Sequence, residues 1–126
     1  MKTILAYTAA ALALSVAPFA VAEEAPATSA VVKAATSIEA REPVGEAKQF
    51  KAGERIYVWS KTEGAEGQQI DHVWKKDGKE IFRAKLDVQS KRWRTNSRMQ
   101  SPKAGSYVVD VLQGEQQLGS VQFTVE

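Results

Sequence analysis

The chain has no cysteine. Disulfides are therefore excluded as a source of stability, and so are a thiol nucleophile, a thiolate metal site and lipid attachment at a lipoprotein cysteine. Histidine occurs once, at His72, with only Asp71 beside it, so a transition-metal site lacks ligands of the usual kind. No loop is acidic enough to point to calcium. There is no Gly-x-Ser-x-Gly elbow and no phosphate-binding glycine loop. Ser residues have no spacing that pairs them with His72, and Asp71, Asp87 and Asp110 are scattered. These absences argue against an enzyme, against a cofactor and against a bound metal.

The start of the chain is informative. Lys2 precedes an apolar run from Ile4 to Val16, Pro18 ends any helix, and Ala20-Val21-Ala22 provides a small-x-small cleavage pattern before Glu23-Glu24. The run is short for a bilayer span, so residues 1–22 read as a cleaved signal peptide. The mature protein is expected to begin near Glu23 and to be exported, periplasmic with secretion as the alternative. Residues 23–33, rich in Ala, Glu, Pro, Ser and Thr, read as a flexible lead-out. Without Lys2 the mature chain has 16 basic and 15 acidic residues, giving no global pull toward nucleic acid or membrane. What remains, residues 34–126, suffices for one domain and one modest core. Three Trp, two Tyr and three Phe in that stretch must help fill it.

From Ala34 onward, short alternating runs separated by turn residues predict antiparallel β structure. A first strand is expected over Thr36–Arg41 and a second over Glu54–Thr62, with Ile56, Val58 and Ser60 opposite Tyr57 and Trp59. Asp77-Gly78 is a two-residue hairpin turn between Ile70–Trp74 and Glu80–Leu86. In its second arm Phe82, Ala84, Leu86 and Val88 face one way and Ile81, Arg83, Lys85 and Asp87 the other. Further strands follow over 91–99, from Gly105, and at the end of the chain through Val121, Phe123 and Val125. Asp110 reads as an outward residue between inward valines. Six or seven strands in about 90 residues predict an all-β fold, a single antiparallel β-sandwich of immunoglobulin or fibronectin type III character. A small barrel is the rival, and no convincing helix follows the leader.

The order of these motifs resembles a known family. Arg41-Glu42-Pro43-Val44, Ile56-Tyr57-Val58-Trp59-Ser60, His72-Val73-Trp74 before Asp77-Gly78, Ser90 through Ser97, Gly105 with Tyr107 and Val109, and Phe123-Thr124-Val125 are similar to the bacterial domain-of-unknown-function family 2914. The resemblance runs from about Ala34 to Glu126, with Tyr107 where Trp is more usual. It implies an exported or envelope-associated accessory domain, and supplies no catalytic residues and no ligand.

Two surface features point to binding. Between Lys75 and Lys103 ten basic residues face three acidic ones, +7 by count, which leaves −6 for the rest of the mature chain. Such asymmetry suits an anionic glycan, another anionic envelope polymer or an acidic envelope protein. Solvated outer residues, or guards against edge-to-edge strand pairing, would give the same pattern. Within this stretch Arg92, Arg94 and Arg98 share one face of a strand, an arrangement able to grip phosphate or carboxylate. Trp93 lies on the other face, as a core residue or a ring for stacking. Tyr57 and Trp59 share a face with Arg55 and Lys61, which fits an aromatic platform that His72 and Trp74 would extend; core packing is the alternative. Arginines interleaved with Trp also suit nucleic acid chemically, but export argues against it and no nucleic-acid partner is expected. The expectation is a non-catalytic binding module in the envelope; a protein-interaction domain acting by strand or face addition is the second reading.

Overall fold

The computed structural model describes residues 28–126; the signal-peptide reading (1–22) and the first part of the lead-out (23–27) lie outside the described residues. Ten strands, β1 Ser29–Ala35, β2 Ser37–Glu39, β3 Glu42–Val44, β4 Gln49–Phe50, β5 Ile56–Glu63, β6 Gln69–Lys76, β7 Lys79–Asp87, β8 Arg92–Met99, β9 Gly105–Gln113 and β10 Gln116–Val125, follow in that order, with no helix among the described residues. They form a three-stranded sheet, β1-β5-β8, and a five-stranded sheet, β4-β10-β9-β6-β7, with β2-β3 as a separate hairpin. The chain starts in the three-stranded sheet with β1, crosses for the short β4, returns with β5, crosses for β6 and β7, returns with β8 and crosses back for β9 and β10. This is an immunoglobulin-like sandwich, as the alternating pattern predicts.

The Asp77-Gly78 hairpin forms as expected, Lys76 facing Lys79 across a two-residue turn. Both turn residues have positive φ, +51° at Asp77 and +87° at Gly78, matching the twist of the flanking strands. The Asp77 carboxylate also accepts the Ser106 N–H at 3.0 Å, tying the turn to the start of β9. Next to it, the Tyr107 hydroxyl donates to the Lys103 carbonyl at 2.6 Å. A tyrosine near the start of this strand, bonded back to the preceding loop, is the tyrosine corner of immunoglobulin-like sandwiches.

Two expectations are corrected. The lead-out was expected to run to Lys33, but the chain is already a strand from Ser29, paired antiparallel with β5 over its whole length. Its small residues carry little β propensity of their own; the pairing comes from β5, through Val32 opposite Ser60 and Ala34 opposite Val58. The strand expected over Thr36–Arg41 is instead two three-residue strands that turn at Ala40-Arg41.

The inner faces supply the core. One cluster gathers Ala34, Ile56, Val58, Trp74, Tyr107, Phe123 and neighbours, and a second gathers Ala65, Ile70, Val88, Val111 and Leu118. Phe123 holds the first together: its ring stacks on Tyr107 at 5.3 Å and meets Phe50 edge-on at 5.5 Å. Such aromatic pairs add about 0.5–1.5 kcal/mol each beyond area burial. In β7 the expected alternation holds, but Phe82 is 37% exposed although it points inward and leans on Trp74. The reason is position: β7 is an edge strand with β6 as its one neighbour.

Candidate functional site

Register decides which side chains share a surface. On the outer face of the three-stranded sheet, β5 places Tyr57, Trp59, Lys61 and Glu63 in a row. Across it, Ala35 and Arg98 flank Tyr57, Lys33 and Asn96 flank Trp59, and Val31 and Arg94 flank Lys61. Arg92 stands opposite Glu63 and pairs with it at 3.8 Å. Arg55, just before β5, donates to the Tyr57 hydroxyl at 3.3 Å and to Gln100 at 2.7 Å. Three of the expected site residues, Arg92, Arg94 and Arg98, thus share one face with Tyr57 and Trp59.

The aromatic platform does not form. Trp59 is only 4% exposed because the β2–β3 hairpin lies over it, and its indole N–H donates to the Arg41 carbonyl at 2.9 Å. The Lys33 ammonium stands 5.9 Å from its ring centre. His72 and Trp74 share a face as expected, but it is the inner face of the opposite sheet, and both are fully buried. A crossover between β5 and β6 separates the two pairs, so they cannot join into one surface. Trp93 is half-buried against the second core cluster, and the Arg41 guanidinium covers its ring at 4.8 Å.

The basic stretch from Lys75 to Lys103 is likewise not one surface. Lys75, Lys76, Lys79, Arg83 and Lys85 belong to the five-stranded sheet, and Arg92, Arg94 and Arg98 to the other. Much of its charge is matched locally. Asp71 takes Arg83 at 2.9 Å and Lys85 at 3.8 Å, Glu80 takes Arg83 at 3.0 Å, and Asp110 takes Lys75 at 3.0 Å. The Arg83 hydrogen bond holds the Glu80 carboxyl below its usual range. Asp110 does face outward between valines, yet its pairing with Lys75 leaves it only 8% exposed.

The structure assembles one group whose pairing has no sequence signal. His72 Nε2 lies 2.9 Å from Ser60 Oγ, and Nδ1 lies 2.7 Å from Ser97 Oγ. The Trp74 indole N–H donates to the same Ser97 oxygen at 2.9 Å. Every donor toward the ring is satisfied when Ser97 O–H donates to Nδ1 and Nε2–H donates to Ser60. Burial, opposed by the nearby Asp71 charge, depresses the imidazole pKa to about 4. Serine hydrogen-bonded to histidine is the contact a nucleophile needs. Here, however, Ser60 and His72 are fully buried between the sheets, where no substrate reaches them. The neighbouring carboxylate, Asp71, is engaged on the outer side with Arg83. The group therefore works as a buried structural network. Among the described residues no three His, Asp or Glu side chains stand together as a metal site.

One cleft adjoins the expected site. It measures about 190 Å³ and lies between the hairpin and β8, lined by Ile38, Arg41, Trp59, Arg94, Thr95 and Asn96. Arg94, which lines it, hydrogen-bonds the Glu42 carboxylate.

No curated protein matches the chain in sequence. Among solved structures it is similar to an immunoglobulin-like protein from Pseudomonas aeruginosa, with TM-score 0.53 and 12% identity over 81% of this chain and 98% of that one. That likeness shows the fold alone. An alkylpurine DNA glycosylase of Pseudomonas fluorescens, bound to DNA containing an abasic site analog, is similar at TM-score 0.43 and 17% identity, covering 75% of this chain and 30% of that chain. It carries no argument about this protein. Residues 67–125, the stretch that holds the His72–Lys79 hairpin and the Trp93-Arg94-Thr95 segment, match the family described as protein of unknown function DUF2914, the family those motifs resemble.

Proposed function

We propose that this immunoglobulin-like domain is a non-catalytic binding module, exported to the periplasm, that docks an anionic envelope glycan on the outer face of its three-stranded sheet. One observation supports this reading above the others. That face and its margin carry Lys33, Arg55, Lys61, Arg92, Arg94 and Arg98 against Glu42, Glu46 and Glu63. Arg92 and Arg94 pair with Glu63 and Glu42, and Lys33 with Glu46. Among the described residues Arg55, Lys61 and Arg98 have no carboxylate in salt-bridge range. Cations left over in this way raise the local concentration of an anionic polymer and speed its capture. The surface is thus moved from the Lys75–Lys103 stretch to a face built by three strands.

The test is retention of the mature protein on immobilised heparin and titration with phosphorylated lipopolysaccharide at two salt concentrations. Lys61→Ala with Arg98→Ala should weaken both by about five- to tenfold, and added salt should do the same to the wild type. Equal binding by the double variant, or no binding at low salt, would overturn the proposal.

The exposed edge of β7 favours a second reading, a protein partner that adds a strand. This nine-residue strand leaves Ile81 43% and Phe82 37% exposed. Lys79, Arg83 and Lys85 along it are the charges by which proteins commonly discourage such pairing, which ranks this reading second.

A further inference from the structure

The turn joining β2 to β3 places two consecutive non-glycine residues in the left-handed region, Ala40 at φ +50° and Arg41 at +64°. Each such residue costs roughly 1–2 kcal/mol, and a turn of this kind persists only where its surroundings hold it. Here the holding contacts all run to the sheet below. The Arg41 carbonyl accepts the Trp59 indole N–H. The Arg41 guanidinium stacks on Trp93 and reaches the Arg94 carbonyl at 3.4 Å, on the strand edge that has no neighbouring strand. Glu42 then places its carboxylate on the Arg94 guanidinium. Arg94 is half-buried, Glu42 is exposed, and Arg94 lines the same cleft as Trp59.

We infer that this cleft is an anion site in which Glu42 is a built-in ligand, and that a phosphate group of the glycan takes its place. The inference rests on the binding face proposed above and deepens it. Arg94 presents a planar fork suited to two oxygens of a phosphate. Arg41, whose guanidinium lies on Trp93, and Asn96 also line the cleft. A dianion on the Arg94 fork competes well with one exposed carboxylate. The exchange keeps Arg94 paired and releases the Glu42 carboxylate, which is exposed, to water. With Glu42 displaced, the strained hairpin loses one of its holding contacts and lifts. What it uncovers is Trp59, flanked in register by Lys33 and Asn96, a ring in a basic field to which a sugar can stack. The aromatic contact expected from the sequence thus becomes available in the bound state.

Three measurements test this on the mature protein. Glu42→Gln keeps the shape and removes the competing charge; it should tighten phosphorylated lipopolysaccharide binding about five- to tenfold and raise acrylamide quenching of Trp59, read in a Trp93→Phe background where only buried Trp74 also emits. Arg94→Lys keeps the charge and removes the fork; it should weaken binding about tenfold. Inorganic phosphate alone should shift the Trp59 indole N–H resonance in the wild type. If binding depends on Lys61 and Arg98 while Glu42→Gln and Arg94→Lys leave it unchanged, the displacement site is wrong and the binding face stands. If no polyanion binds at any salt concentration, both readings fall.

Discussion

At the scale of the residue, His72 carries the largest consequence for pH. Its pKa is about 4 in the folded protein, lowered chiefly by burial, against about 6.5 in the unfolded chain. Above pH 6.5 both states hold the neutral ring and folding loses nothing. As pH falls from 6.5 toward 4 the unfolded chain takes up a proton that the folded protein refuses, so stability falls. The gap corresponds to up to about 3 kcal/mol. Protonating Nδ1 would also place two donors, the imidazolium and the Trp74 indole, on the single Ser97 oxygen. Denaturant unfolding at pH 7 and pH 4.5 should show this loss. In His72→Gln the pH-dependent part of it should shrink, even though that variant is less stable at pH 7. An equal slope in both proteins would show that other groups control the acid response.

At the scale of the element, β1 and β10 come closest where Gly119 sits. A Cβ there would lie 2.4 Å from the Ala30 carbonyl oxygen, in a backbone that cannot withdraw without moving β1. β10 shifts register against β9 between Gln117 and Gly119, which presents the bare Cα to β1. Gly119→Ala should therefore cost about 1–3 kcal/mol, seen as a lower melting temperature, whereas Gly114→Ala meets no neighbouring atom within 4 Å and strains only its own turn. These elements also show what a sequence reveals and what it hides. The Asp77-Gly78 turn, β5 through β10 and the outward placement of Asp110 were legible because alternation and turn chemistry are local. β1 was not, since Ser29–Lys33 owes its strand to β5, far along the chain. What buries Trp59 was not legible either: beside Tyr57, Lys61 and Arg55 the sequence allows a platform or core packing, and the β2–β3 hairpin that covers it has only three residues in each strand. For the same reason Ser60 and Ser97 gave no hint of His72, which lies 12 and 25 positions away in the chain.

At the scale of the whole molecule, the absence of cysteine means that the sandwich stands on its two core clusters alone. Thermal unfolding of the protein should be identical with and without a thiol reductant; a reductant-sensitive transition would contradict the fold as described. A fold without thiols is indifferent to the redox state of its surroundings. The buried network adds a different property. Ser60, His72 and Ser97 come from β5, β6 and β8, two strands of one sheet and one of the other. They meet only when both sheets are aligned to the residue. A slip of one position in β8 would bring Asn96 or Arg98 inward and turn Ser97 to water, orphaning the imidazole and the Trp74 indole together. The three hydrogen bonds thus penalise a one-residue slip between the two halves of the sandwich.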